Sequence, residues 1–256
     1  MLFRRVSLMS IAGSVIILVG CGTQPNEGES QPAAVRKAEC RWVAGPIKID
    51  GKLDEPAWQN AQMLEDFSVF WLKRKPKTAT KARLLWDDQY LYFAAEMEDS
   101  DLYADVKERN GITWENDVFE LFFKPAADKR LYYEFQVNAA NTQLELFFPS
   151  RGSGGYRRAA PLTRLGMESA VALDGTLNNW EDQDRGWTVE GRIPWTGFKA
   201  AGGKPEAGAK WRFALCRYDY SAAFEEPELS STAPLTQPSF HRYEDYGELT
   251  FVPRGG

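Results

Sequence analysis

From residue 114 to residue 123 the chain reads Trp-Glu-Asn-Asp-Val-Phe-Glu-Leu-Phe-Phe, an indole, an amide and three carboxylates at the mouth of an apolar run. A second run, residues 131–138, follows after a short turn. In it Leu131, Tyr133, Phe135 and Val137 alternate with Tyr132, Glu134, Gln136 and Asn138. A period of two sends these sets to opposite faces of a sheet. The two runs predict a hairpin with one apolar face and one face carrying Glu120, Glu134, Gln136 and Asn138. Carboxylates accept hydrogen bonds, carboxamides donate and accept them, and an aromatic face stacks on C–H groups. Such a face suits a neutral, hydroxyl-rich ligand, with Trp114 at its edge.

Other chemistries are poorly served. His241 is the only histidine, so there is no histidine-built metal cluster, and neither a glycine-rich phosphate loop nor an activated-serine elbow is present. Glycoside hydrolysis needs two carboxyl groups facing one bond. Glu120 and Glu134 share a predicted face, but adjacent sheet carboxylates more often hold hydroxyls or Ca2+.

The elements that must position these residues are short strands. Apolar or alternating runs at 82–86, 90–95, 118–123, 131–138, 142–148, 167–173, 187–193, 211–217 and 248–252 are separated by turn residues, with no long helical pattern between them. This predicts an all-β fold, an antiparallel β-sandwich of jelly-roll-like or immunoglobulin-like architecture, or an open barrel. Trp86, Trp187 and Trp211 sit in alternating strands and are expected in the core, with Trp58 and Trp195 closing its ends. Two long loops, 149–165 and 221–246, are where a β scaffold would carry binding residues. Asn116, Asp117, Asn138 and Glu190 have structural roles open to them as caps or turn anchors. Trp180, among polar residues, is placed either at a rim or in loop packing.

The amino-terminal residues read as an export leader. Arg4 and Arg5 precede an apolar run from Val6 to Val19, followed by Gly20-Cys21. This run is short for a membrane span. The pattern resembles a bacterial lipoprotein signal, with residues 1–20 removed and Cys21 lipidated, which gives stable anchoring through acyl chains. Thr23 follows Gly22, so an acidic inner-membrane retention signal is not indicated, and the outer membrane or cell surface is expected. Residues 21–38 are rich in Gly, Gln, Pro, Glu, Ser and Ala and read as a flexible tether, leaving 39–256 as one folded domain. Loss of Arg4 and Arg5 takes the formal charge from −5 to −7. With no basic stripe between aromatics, nucleic acid is not an expected partner. In an oxidising compartment Cys40 and Cys216 have one pairing open to them, a disulfide tying the ends of the domain, or they remain two buried thiols.

The ordered set Ile49-Asp50-Gly51, Leu53-Asp54-Glu55, Trp58, Leu85-Trp86-Asp87, Tyr90-Leu91-Tyr92, Trp114-Glu115-Asn116-Asp117, Glu120, Phe135-Gln136-Val137-Asn138, Gly186-Trp187-Thr188-Val189-Glu190, Ile193-Pro194-Trp195 and Tyr246-Gly247 resembles the family 9 carbohydrate-binding modules and their β-sandwich relatives. The resemblance implies a sugar ring clamped between two aromatic side chains, with polar side chains on its hydroxyls. It implies plant-type glucan or xylan ends as ligands, and structural Ca2+ as a cofactor. By motif position Trp114 corresponds to the first clamp, Glu120 to a hydroxyl acceptor and Gln136 to the polar residue of the second strand. Phe240 stands where the second clamp, usually Trp, is expected; Asn138 and Gln237 complete the ligand-binding set. The implied role is non-catalytic binding at the cell envelope, with glycoside hydrolases or transporters as partners. Two other readings stay open: haem held by Met97 and His241 on the same sandwich type, and a scaffold lipoprotein of a polysaccharide-uptake assembly.

Overall fold

β-Branched and aromatic residues at alternating positions favour pleated strands. The computed structural model, which describes residues 36–153, 156, 160 and 163–255, contains eleven of them among the described residues. They are β1 (Lys37–Trp42), β2 (Thr80–Trp86), β3 (Tyr90–Glu98), β4 (Val118–Lys124), β5 (Tyr132–Asn138), β6 (Gln143–Phe148), β7 (Glu168–Asp174), β8 (Gly186–Pro194), β9 (Lys210–Asp219), β10 (Glu228–Ser231) and β11 (Gly247–Val252). The spatial order is β6-β5-β4-β9-β11-β1-β2-β3-β8-β7, with β10 added to β9. Cys21 and nearly all of the expected leader and tether lie outside the described residues.

The fold is all-β, as expected, and every predicted strand is present. Two strands escaped the pattern. β1 begins at Lys37, inside the segment read as tether, and buries only Ala38 and Cys40. β10 is four residues long and lies inside the second long loop. The sheet is mixed rather than purely antiparallel, because β1 runs parallel to both β11 and β2. Residues 43–79 between β1 and β2 provide the long connection that parallel neighbours require.

One face of the sheet encloses a shared core. Trp86, Phe93, Val189 and Trp187 from β2, β3 and β8 meet Phe119, Phe123, Phe135 and Trp211 from β4, β5 and β9. Trp195 and Phe198, in the 3-10 segment Trp195–Ala201 after β8, pack into the same cluster, Trp195 edge-on to Trp211 at 6.1 Å. Trp58 closes a smaller cluster with Ile47, Leu85 and Tyr92 on the other side of β2 and β3. A buried carboxylate fixes this closure. Glu190 accepts from the Trp58 indole at 2.8 Å and from the backbone N–H groups of Asp50 and Gly51 at 3.1 and 3.3 Å. Gly51 has φ +82°, and a Cβ there would lie 2.8 Å from the Val171 carbonyl carbon, so only glycine fits the turn.

Candidate functional site

Alternation along β4, β5, β6 and β9 leaves a second set of side chains on the face away from the core. Glu120 and Phe122 lie opposite Gln136 and Glu134 in the β4–β5 register, and Leu146, Phe148 and Tyr218 extend this face on β6 and β9. Described residues of the two long loops lie over it. Tyr156 comes from the first; Pro238, Ser239, Phe240 and His241 come from the second. Trp114 enters from the 3-10 turn Thr113–Glu115. Together they line a cleft of about 360 Å3, within the range of small-ligand sites.

The walls are aromatic. The half-buried Trp114 meets Tyr156 edge-on at 4.7 Å, and Tyr132 stacks on Phe148 at 4.6 Å. His241 is half-buried, its Nδ1 3.0 Å from the Tyr132 hydroxyl. Burial, then the charge of Arg151, pushes His241 below its ordinary pKa, so the ring is neutral at pH 7.

The floor is polar. The Gln136 amide donates to Glu134 Oε1 at 2.5 Å, and Gln136 Oε1 accepts from the Thr113 hydroxyl at 2.5 Å. Glu120 Oε1 and Glu134 Oε2 are buried and meet no hydrogen-bond donor among the described residues. Burial raises Glu134 to about 7, with the Gln136 bond opposing the shift. Burial, reinforced by the charge of Glu134, raises Glu120 well above the carboxylate range. The pair therefore carries a proton at neutral pH. It presents both an O–H donor and carboxylate acceptors, where the sequence suggested acceptors alone.

Of the residues singled out in the sequence, Trp114, Glu120, Gln136 and Phe240 line this one cleft. Phe240 does not stand open as a platform. It is 4% exposed, packed edge-on against Tyr218 at 5.3 Å and Phe122 at 6.2 Å, because the loop that carries it folds onto the sheet. Asn138 is outside the cleft. Its amide donates to Val106 O and Asn116 Oδ1, and its oxygen accepts from the N–H groups of Ala140 and Thr142, so the side chain is spent on the β5–β6 turn. Gln237 is exposed and does not line the cleft, although its neighbour Pro238 does. Asn116 and Asp117 are structural: Asp117 accepts from the N–H groups of Tyr103 and Tyr220, each at 2.6 Å. Sequence reasoning left Glu134, Phe148, Tyr156 and Tyr218 out of the set. Alternation had already put Glu134 on the correct face, but no local signal marks the others.

Cys40 and Cys216 are free thiols. Cys40 pairs with Phe251, whose N–H donates to Ala209 O at the start of β9. Cys216 lies seven residues further along β9, roughly 23 Å at 3.3 Å per residue, and faces the cleft side. Met97 is packed in the main core and His241 lines the outer cleft, so the two do not converge as axial ligands.

Asp99, Asp117 and Asp219 are buried with their carboxylates within 4.8 Å of one another. Arg217, also buried, lies 3.0 Å from Asp99 and 3.2 Å from Asp219. One guanidinium pairs with two carboxylates of a cluster of three. Burial raises all three, Asp99 to about 7. Asp219 Oδ1, though within ion-pair distance of Arg217, has no aligned donor. The deficit of positive charge and the unaligned oxygen fit a hard cation bound by oxygen ligands.

Comparison with known proteins gives this geometry its family. The model for the carbohydrate family 9 binding domain-like family matches residues 49–253. Exoglucanase XynX of Acetivibrio thermocellus is 30% identical over 183 residues, 65% of this chain and 16% of that protein. Endo-1,4-beta-xylanase A of Thermotoga maritima is 35% identical over 138 residues, 50% of this chain and 12% of that protein. The chain thus matches only a small part of these curated relatives. Among solved structures, a Bacteroides uniformis protein provisionally described as carbohydrate-binding aligns with TM-score 0.69 at 18% identity, covering 85% of this chain and 100% of that one. A family 9 carbohydrate-binding module of Caldicellulosiruptor kristjanssonii, solved with cellotriose, aligns with TM-score 0.58 at 18% identity over 86% of this chain and 95% of that one. The chain belongs to the carbohydrate family 9 binding domain-like family.

Proposed function

We propose that this protein binds carbohydrate without transforming it, and that the ligand is the end of a glucan or xylan chain. One observation carries the reading: Glu120 and Glu134, each with a buried oxygen that meets no hydrogen-bond donor among the described residues, line an aromatic-walled cleft. Unpaired buried acceptors are costly unless a ligand completes them. A sugar offers hydroxyls to the floor and C–H faces to the rings. The relatives' names, an exoglucanase and xylanases, and the cellotriose held by a neighbouring structure support the choice of ligand.

Both carboxyl groups rise from the one floor of the cleft. They are diagonal neighbours across β4 and β5, roughly 7–8 Å apart at the Cα atoms. Hydrolysis requires two carboxyl groups that flank the scissile bond from different sides, so the arrangement favours holding a sugar over cleaving it. Titration calorimetry with cello- and xylo-oligosaccharides tests the reading. Binding lost in Trp114→Ala, with oligosaccharides recovered uncleaved, supports it; absence of binding by the folded wild-type chain rejects it.

The same reading extends to context. Lipidation at Cys21 would hold the domain at the cell envelope, where it would serve enzymes or transporters acting on the same polysaccharide; the leader pattern supports this. Metabolic labelling with a fatty acid, lost in Cys21→Ala, is the expected result. A structural Ca2+ would be held by Asp99, Asp117 and Asp219, where it would offset carboxylate repulsion in the β4–β9 region.

A further inference from the structure

Trp180 is 77% exposed, the most exposed of the large hydrophobic side chains among the described residues. It lines a groove of about 250 Å3 with Tyr103, Tyr220, Leu102, Asn179 and Ser221, separate from the cleft described above. A single exposed apolar side chain needs no explanation. Here two features set the indole apart.

The first is rigidity. The loop that carries Trp180 is tied to the segment after β3. Asn178, held at φ +62°, exchanges side-chain hydrogen bonds with both the N–H and the C=O of Ala104, and its own N–H donates to Leu102 O. Asp184 accepts from the N–H groups of Leu102 and Thr176, each at 2.7 Å. An indole in water on a backbone so fixed is a preorganised contact, with little loop ordering left to oppose binding.

The second is connection to the cleft. The segment that anchors the Trp180 loop also anchors the turn bearing Trp114: the Tyr103 N–H donates to Asp117 and the Val106 N–H to Asn116. Tyr220 spans both places. Its ring faces Tyr103 in the groove at 6.0 Å, and its hydroxyl donates to Trp114 O at 2.8 Å.

We propose that Trp180, with Tyr103 and Tyr220, forms a second sugar-stacking subsite that takes residues of the same polysaccharide chain beyond those held in the cleft. The inference rests on the carbohydrate reading of the cleft. The occupant is a glycan because the groove presents the open Trp180 face flanked by Tyr103 and Tyr220, and because Tyr220 ties the groove to the backbone of Trp114 in the cleft.

Calorimetry with a ladder of cello- and xylo-oligosaccharides, from monosaccharide to hexasaccharide, tests it on the wild-type chain, Trp180→Ala and Trp114→Ala. The wild type is expected to bind the longest ligands tighter than the shortest. Trp180→Ala should weaken the longest roughly three- to tenfold, the range of one aromatic contact, while leaving the shortest unchanged. Trp114→Ala should weaken every length. Trp180 touches no core cluster, so the variant should fold, and an unchanged Tm checks this. Wild-type affinity for the hexasaccharide in Trp180→Ala overturns the second subsite and leaves the cleft reading intact. A folded wild type that binds no length of either ladder overturns both.

Discussion

Gln136 donates its side-chain amide to Oε1 of Glu134 at 2.5 Å, while Oε2 stays buried without a hydrogen-bond donor among the described residues. Gln136 is itself held within the protein, since its oxygen also accepts from Thr113. It acts on a ligand through Glu134, whereas Glu120 offers an oxygen directly.

Glu120→Ala should therefore weaken oligosaccharide binding more than Gln136→Ala. A hydrogen bond to an ionised partner contributes about 1.5–3 kcal/mol and a neutral one about 1 kcal/mol. With one proton shared across the pair, a loss of about tenfold is expected for Glu120→Ala and a few-fold for Gln136→Ala. Calorimetry giving the reverse order would show that Gln136 is the primary contact.

Stability should fall as pH rises through neutrality. Glu134 and Glu190 are raised from 4.5 to about 7, and Asp99 from 3.8 to about 7, each chiefly by burial. Their folded pKa values exceed the unfolded ones, so the folded state holds protons that the unfolded chain has released. That contribution is complete below about pH 4 and is lost through about pH 7. Carboxylates with lowered values, such as Asp174 beside Arg185, are ionised throughout pH 5–8 and do not offset it. Thermal unfolding should give a lower Tm at pH 8 than at pH 5. Glu134→Gln should narrow the difference, and a Tm that rises over this interval contradicts the assignment.

Glu190 gathers three donors from the Trp58 indole and the Asp50-Gly51 turn. Glu190→Ala strands them in a buried site, at about 1–3 kcal/mol for each unsatisfied group, and a net loss of about 3 kcal/mol is expected in urea unfolding. Glu190→Gln retains an acceptor oxygen and should cost less. Trp58 fluorescence should shift to the red in the alanine variant; equal stabilities of the two variants would show that the hydrogen bonds contribute little.

Ca2+ should raise Tm and a chelator should lower it near pH 7, with the response abolished in Asp117→Asn. Ligand binding to the folded state alone stabilises by mass action. Identical melting with Ca2+ and with chelator would mean that Arg217 and bound protons alone balance Asp99, Asp117 and Asp219.

The sequence alone determined nine of the eleven described strands and their faces, because these depend on a two-residue period and on local backbone preference. The alternation in 131–138 correctly put Tyr133, Phe135 and Val137 in the core and Glu134 and Gln136 opposite. Tertiary structure decided what each face became. Whether Phe240 is a platform or a wall depends on how residues 221–246 settle on the sheet. Whether Asn138 is free depends on Asn116 and Val106, more than twenty residues upstream. Tyr156 and Tyr218 reach the cleft only because their elements converge there. Exposure is a property of what covers a side chain, and no window of neighbouring residues records it. The parallel placement of β1 and the separation of Cys40 from Cys216 have the same origin, in pairings between the two ends of the domain.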